Sequence, residues 1–227
     1  MLDTPSHRRS GGNPSRSSSA VLTAQQMAAY QRQGWLLARG FIGAAGVEVL
    51  SRWTDELAAR PEMPGAHMVY REPSLIDKTQ RVIQRIEDFC PHHAALDGFV
   101  RRGRLAEAVA QLFGAPACLF KEKINFKMPG GAGFEPHQDQ QAGWGRYARM
   151  FITALVTIDR ATIENGCLEM GDGARLSGLV GEEWRPLTAA EMKGFNLVPV
   201  PTDPGDVLFF DSYAPHASKP NMTNHAR

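Results

Sequence analysis

The chain has 227 residues, 43% of them apolar and 22% charged, with a formal net charge of +1. That composition suits one globular domain with a sizeable core and gives no electrostatic footing for nucleic acid or an anionic membrane. No apolar run approaches the roughly 20 residues a membrane-crossing helix needs. Cys90, Cys118 and Cys167 are irregularly spaced with no CxxC pair. They read as reduced core thiols of a cytoplasmic protein, neither a disulfide frame nor a zinc knuckle.

Residues 1–20 are rich in Ser, Arg, Gly and Pro and nearly free of large apolar side chains. They bury too little surface to offset the entropy of ordering, so they read as a disordered tail ahead of one domain over 21–227. The tail also lacks the apolar stretch of a secretory signal. Thr23-Ala24-Gln25-Gln26 has capping-box spacing, Leu22 and Met27 are placed as a hydrophobic staple, and Gly34 is placed to end the helix. Trp35-Leu36-Leu37 reads as a short buried strand. A second helix is predicted over 44–60, with Val47, Leu50, Trp53 or Thr54, and Leu57 inward. A third is predicted over 96–112, stopped by Gly114, and residues 61–90 show little periodicity.

From Leu119 the texture changes to short strands between Gly/Pro turns. Lys121, Lys123, Asn125 and Lys127 alternate with Ile124, Phe126 and Met128, the two-residue period of a half-buried strand. Further strands are predicted over 151–158 and 207–210, the latter entered through the Pro204-Gly205-Asp206 turn. A second capping box, Thr188 with Glu191, predicts a helical insertion between strands. The expectation is mainly β: N-terminal helices on a β-sandwich or barrel core.

His137 and Asp139 lie two apart in Glu135-Pro136-His137-Gln138-Asp139. On an extended strand both side chains leave one face and offer an imidazole nitrogen and a carboxylate oxygen to a single metal. His216, beyond the Pro204-Gly205-Asp206 turn and the apolar strand after it, suits the third ligand. Two histidines and a carboxylate form the facial triad of ferrous iron, which leaves positions for oxidant and co-substrate. His-x-Asp alone is a weak signal, and a surface pair is its ordinary reading. A turn at Pro220-Asn221 brings Arg227 back towards the same cavity, where a guanidinium fork suits the far carboxylate of a dicarboxylic co-substrate.

Together these residues resemble the phytanoyl-CoA dioxygenase family of iron- and 2-oxoglutarate-dependent oxygenases. The resemblance rests on His137-Gln138-Asp139, on Glu164-Asn165-Gly166-Cys167-Leu168-Glu169, on His216 with Arg227, and on an opening from Leu22-Thr23 to Gly34-Trp35-Leu36-Leu37. Lys121 to Phe134 looks most like a bacterial branch that includes oxygenases of 2-aminoethylphosphonate. The resemblance implies a double-stranded β-helix (a jelly-roll or cupin-like core) with Fe(II) held by His137, Asp139 and His216. It also implies 2-oxoglutarate paired with Arg227, contacts to it from Lys123, Thr153 and Ser218, and dioxygen as oxidant. The activity implied is hydroxylation of a small metabolite, an aminophosphonate or a secondary metabolite, with release of succinate and carbon dioxide. Asp139 sets the chain apart from halide-binding relatives, which lack that carboxylate. Gly171-Asp172-Gly173-Ala174-Arg175 stands where the family usually has a Pro-Gly-Ser-His turn, and the resemblance implies one more core strand beyond Arg227.

For the substrate wall the candidates are Tyr70 and Arg71, beside Met68, in the irregular segment. Gln140, Gln141, Trp144 and Arg149 follow the motif, and the two arginines suit an anionic group. Each also reads as an ordinary loop residue. Two other readings stay open: a cupin-type metal enzyme without oxygen chemistry, and a non-catalytic binding module on the same fold.

Overall fold

The computed structural model describes residues 20–227; the predicted tail, apart from Ala20, lies outside the described residues. Helix α1 (Ala24–Gln33) starts at the first capping box. The Gln26 N–H donates to the Thr23 hydroxyl at 3.2 Å, and the Thr23 N–H donates to the Gln26 side chain at 2.8 Å. Gly34, in the left-handed region at φ 80°, ends α1 and leads into strand β1 (Trp35–Ala38). Helix α2 (Ala44–Ala58) buries Leu50, Thr54 and Leu57.

The segment with little periodicity holds an ordered hairpin, β2 (Met68–Pro73) and β3 (Arg81–Glu87), with a register shift between Tyr70 and Arg71. That irregularity interrupts the strict alternation a sequence pattern needs. The predicted third helix is two helices, α3 (Ala94–Arg101) and α4 (Arg104–Phe113). Arg102 between them is extended and Gly103 takes φ 73°, which breaks the ladder although the apolar spacing runs on.

Seven strands follow: β4 (Lys123–Asn125), β5 (Phe134–His137), β6 (Ile152–Val156), β7 (Leu168–Gly171), β8 (Leu197–Pro199), β9 (Val207–Asp211) and β10 (His216–Ser218). The Thr188–Glu191 box forms its hydrogen bonds, but only one 3-10 turn follows, Glu191–Gly194. Glu191 is also gripped by Arg185 at 2.7 and 2.9 Å, so the motif ties a loop and starts no α-helix.

Two antiparallel sheets, β1-β9-β6 and β5-β10-β7-β8, form the double-stranded β-helix, and β2-β3-β4 is a separate third sheet. Leu208 and Phe210 of β9 pack between the two sheets with Met170, Val200, Leu155 and Leu168. Val207 and Phe209, on its other face, pack with Leu36, Ala38, Leu105 and Leu112. A strand buried on both faces reads as a continuous apolar run. Ile124 and Phe126, outside the barrel, pack against Leu50, Leu57 and Ile86.

The departure at Gly171–Arg175 has a structural use. The Arg175 guanidinium bonds the buried Asp211 carboxylate at 2.7 Å and lies 4.7 Å from the Tyr30 ring centroid, so it ties β9 to α1. Cys118 is exposed, which corrects the expectation of three core thiols; Cys90 and Cys167 are buried, and none of the three is paired. Among the described residues no helix is long and apolar enough to cross a membrane.

Candidate metal centre and co-substrate cavity

His137 ends β5, and its partner across the ladder is His216, the first residue of β10. Their rings lie 4.2 Å apart between centroids. Asp139 is already outside the strand, opening a 3-10 turn, so the expectation of two ligands on one continuous strand is corrected. The two-residue relation survives because Gln138 stays extended, at φ −111° and ψ 132°. Gln138 turns the opposite way and is 1% exposed. Its amide donates to Tyr213 O at 2.7 Å and Gly178 O at 3.1 Å, and its oxygen accepts the Val180 N–H at 2.7 Å. Those bonds pin the segment between the two ligands.

Each histidine is oriented through its other nitrogen. His137 Nδ1 lies 2.7 Å from Glu135 O and His216 Nδ1 lies 2.9 Å from Ala214 O. A carbonyl only accepts, so Nδ1 carries the proton in both rings and Nε2 offers a lone pair. Asp139 Oδ2 accepts the Thr153 hydroxyl at 2.9 Å, while Oδ1 stands 4.0 Å from His137 Nε2 and 3.9 Å from His216 Nε2. Those separations are too long for hydrogen bonds. Three ligand atoms within 4.8 Å of one another are therefore held around a gap, by partners that point them into it, and the donor set fits a ferrous ion.

Burial favours the neutral imidazole at His216. It pushes His216 down to about 4, helped by the charge of His137 and opposed by Asp139. Burial would raise the Asp139 carboxyl, but the charges of His216, Lys123 and His137 and the Thr153 hydroxyl outweigh it and hold the group below its usual range.

Through Asp139 the triad borders a cavity of about 630 Å³. Asp139 and Thr153 line it, with Phe120, Phe134, Trp144 and Phe151 as walls and Lys127, Ser218 and Arg227 at one end. Arg227 reaches that end through backbone pairing with Lys127: the Lys127 N–H donates to Arg227 O at 2.7 Å and the Arg227 N–H to Lys127 O at 3.2 Å. Asn221, fully buried, holds the returning loop by donating to Lys127 O at 2.8 Å and His225 O at 2.7 Å. The Arg227 guanidinium donates to the carbonyls of Asn165 and Gly166. This explains the Asn165-Gly166 pair. Asn165 ties its own loop to Thr162 and Arg160, and Gly166 sits at φ 76° where an added Cβ would collide with Lys219 O.

A sequence profile described as phytanoyl-CoA dioxygenase matches residues 30–227, which includes every residue of the triad and Arg227. The chain belongs to the phytanoyl-CoA dioxygenase family.

Among its relatives, a 2-aminoethylphosphonate dioxygenase of an uncultured bacterium is 35% identical over 209 residues, covering 92% of this chain and 79% of the relative. A methylphosphonate hydroxylase of Gimesia maris is 34% identical over 210 residues, covering 91% and 78%. By structure, the chain resembles EctD from S. alaskensis, crystallised with 2-oxoglutarate and 5-hydroxyectoine, at TM-score 0.75 and 21% identity over 93% of this chain and 75% of that one. The 2-oxoglutarate-dependent epimerase SnoN from nogalamycin biosynthesis gives 0.72 and 21% over 89% and 76%.

In this phytanoyl-CoA dioxygenase family member, the structure sorts the residues singled out in the sequence. Lys123, Thr153, Ser218, Arg227 and Trp144 line the cavity together with Asp139. Tyr70, Arg71, Gln140 and Arg149 do not line it. Tyr70 lies against the Arg85 guanidinium, 4.1 Å from ring centroid to Cζ, and Arg71 pairs with Glu62 at 2.9 Å on the surface. Gln140 is buried and donates to Ala148 O at 3.1 Å, while the Arg149 side chain is exposed. Ser218 accepts a bond from Lys127, and the Thr153 hydroxyl is spent on Asp139.

Sequence reasoning missed Lys127, whose ammonium is buried and donates to Ser218 Oγ at 2.8 Å, Lys219 O at 2.8 Å and Ala132 O at 3.1 Å. Its place on the polar side of the β4 alternation was a signal for the barrel interior. The usual preference of lysine for solvent hid it.

Proposed function

We propose that the protein is an Fe(II)- and 2-oxoglutarate-dependent dioxygenase that hydroxylates a small phosphonate in the cytoplasm. The observation that carries this is the gap among His137 Nε2, His216 Nε2 and Asp139 Oδ1, bordering through Asp139 a cavity with Arg227 and Lys127 at its end. The phosphonate class rests on the two bacterial relatives named for phosphonate substrates. The cytoplasmic reading rests on three unpaired cysteines.

His137, His216 and Asp139 would hold the iron through those three atoms, the imidazoles neutral and the carboxylate ionised. When bound, iron with 2-oxoglutarate supplies the chemistry by which dioxygen oxidises substrate while 2-oxoglutarate leaves as succinate and carbon dioxide. Thr153 fixes one carboxylate oxygen of Asp139 so that the other faces the gap. Arg227 and Lys127 give the far carboxylate of 2-oxoglutarate two cations, with Ser218 held between them and the triad. Phe120, Trp144 and Phe151, their ring centroids 4.5–5.4 Å apart, give the cavity an apolar wall. A metal enzyme without a dicarboxylate co-substrate would have no use for that cationic end.

The test is to add Fe(II) and then 2-oxoglutarate to the protein without oxygen and record the visible spectrum. A weak absorption band is expected, lost in His137→Ala and in Asp139→Ala while far-ultraviolet circular dichroism stays unchanged. Succinate formation that continues undiminished in both variants would overturn the assignment.

A further inference from the structure

One polar strand face extends past the co-substrate end of the cavity. β4 and its continuation present Lys123, Asn125 and Lys127 at two-residue spacing, so all three leave the same face, and all three line the cavity. Lys127 is occupied by three oxygens and lies beside Arg227. Lys121, one step outside, pairs with Glu87 at 3.5 Å. Lys123 has no ion pair within 4.0 Å among the described residues, and it stands at the open, accessible side of the cavity.

Position separates the two lysines. Four residues of extended chain carry Lys123 about 13 Å along the strand from Lys127, at roughly 3.3 Å per residue. A short dicarboxylate anchored at Arg227 and Lys127 spans less than that distance, so Lys123 stands beyond the reach of the co-substrate's far carboxylate. A free cation beyond the co-substrate end of the cavity is suited to a second anion.

We propose that Lys123, with Asn125 beside it, receives the phosphonate group of the primary substrate and so sets which carbon faces the metal. The proposal rests on the oxygenase reading above. Lys123 supplies a charge-assisted hydrogen bond that the dianion strengthens, and Asn125 adds an amide donor from the same face. Loss of one such bond corresponds to roughly a 10- to 100-fold loss of affinity.

The experiment uses Fe(II)-loaded protein without oxygen, titrated first with 2-oxoglutarate and then with methylphosphonate, each followed by calorimetry as well as by the visible band. Lys123→Gln is expected to weaken methylphosphonate by roughly 10- to 100-fold and to leave 2-oxoglutarate within about twofold, with Lys123→Arg recovering most of the loss. If Lys123→Gln weakens 2-oxoglutarate and spares methylphosphonate, the proposal is overturned and the oxygenase stands. Wild-type protein that binds 2-oxoglutarate but not methylphosphonate likewise overturns the proposal and leaves the oxygenase standing. If wild-type protein binds no 2-oxoglutarate, the oxygenase reading fails and takes the proposal with it.

Discussion

Thr153→Val removes one hydrogen atom's worth of bonding from the metal centre and little else. Thr153 is the second residue of β6, and its hydroxyl donates to Asp139 Oδ2 at 2.9 Å. Valine keeps the β-branched shape and the strand preference, so the backbone has no reason to move. What is lost is one hydrogen bond to a charged, buried acceptor, worth about 1.5–3 kcal/mol. Without it Asp139 Oδ1 is no longer fixed some 4 Å from both histidine nitrogens. At about 1.4 kcal/mol per decade, ferrous affinity should fall roughly 10- to 100-fold, which matches the usual cost of removing a ligand's supporting partner. The assay is an anaerobic Fe(II) titration against a competing chelator, run on wild type, Thr153→Val and Thr153→Ser. Serine keeps the hydroxyl and should stay within a few-fold of wild type. Equal affinity in wild type and Thr153→Val, or a serine variant as weak as the valine one, would refute the reasoning.

Other outcomes follow from the same geometry. Arg227→Leu should weaken 2-oxoglutarate by roughly 10- to 100-fold in calorimetry and leave Fe(II) affinity unchanged, since the guanidinium sits at the far end of the cavity from the triad. Burial first, and the Arg227 cation second, bring Lys127 down from 10.5 to about 8. Between those values the unfolded chain holds a proton that the folded one has released, so this lysine's contribution to stability rises with pH over that window. Urea midpoints measured from pH 8 to pH 10 should show that rise in wild type relative to Lys127→Met, while 2-oxoglutarate affinity falls as the ammonium loses its charge. Arg175→Met should destabilise the fold by about 3 kcal/mol, the low end for breaking a buried pair, because Arg175 is 28% exposed while its partner Asp211 is 1% exposed. Urea unfolding checks this, and a loss under about 1 kcal/mol would show that Asp211 finds another partner.

Local chemistry by itself determined a good deal of this protein. The Thr23–Gln26 box and Gly34 bound the first helix because hydrogen bonding and backbone conformation there depend on residues three or four apart. The two-residue spacing of His137 and Asp139 put both ligands on one side, since an extended backbone alternates whatever lies around it. His216 was legible from the turn and the apolar strand ahead of it. The break at Gly103 was not, because the apolar period of the predicted helix continues across it and only the packing of two separate helices selects φ 73° there. The hairpin at 68–87 escaped notice for a related reason, a register shift that spoils the alternation. Side-chain destinations were decided by tertiary structure. Arg71 met Glu62 and Arg149 met solvent, although both stood close to candidate site residues in the chain. Lys127 was buried because β10 and the returning end of the chain bring Ser218, Lys219 and Arg227 to it across some ninety residues or more. Periodicity states which side of a strand a residue occupies; the strand that arrives opposite decides whether that side faces water, core or a bound anion.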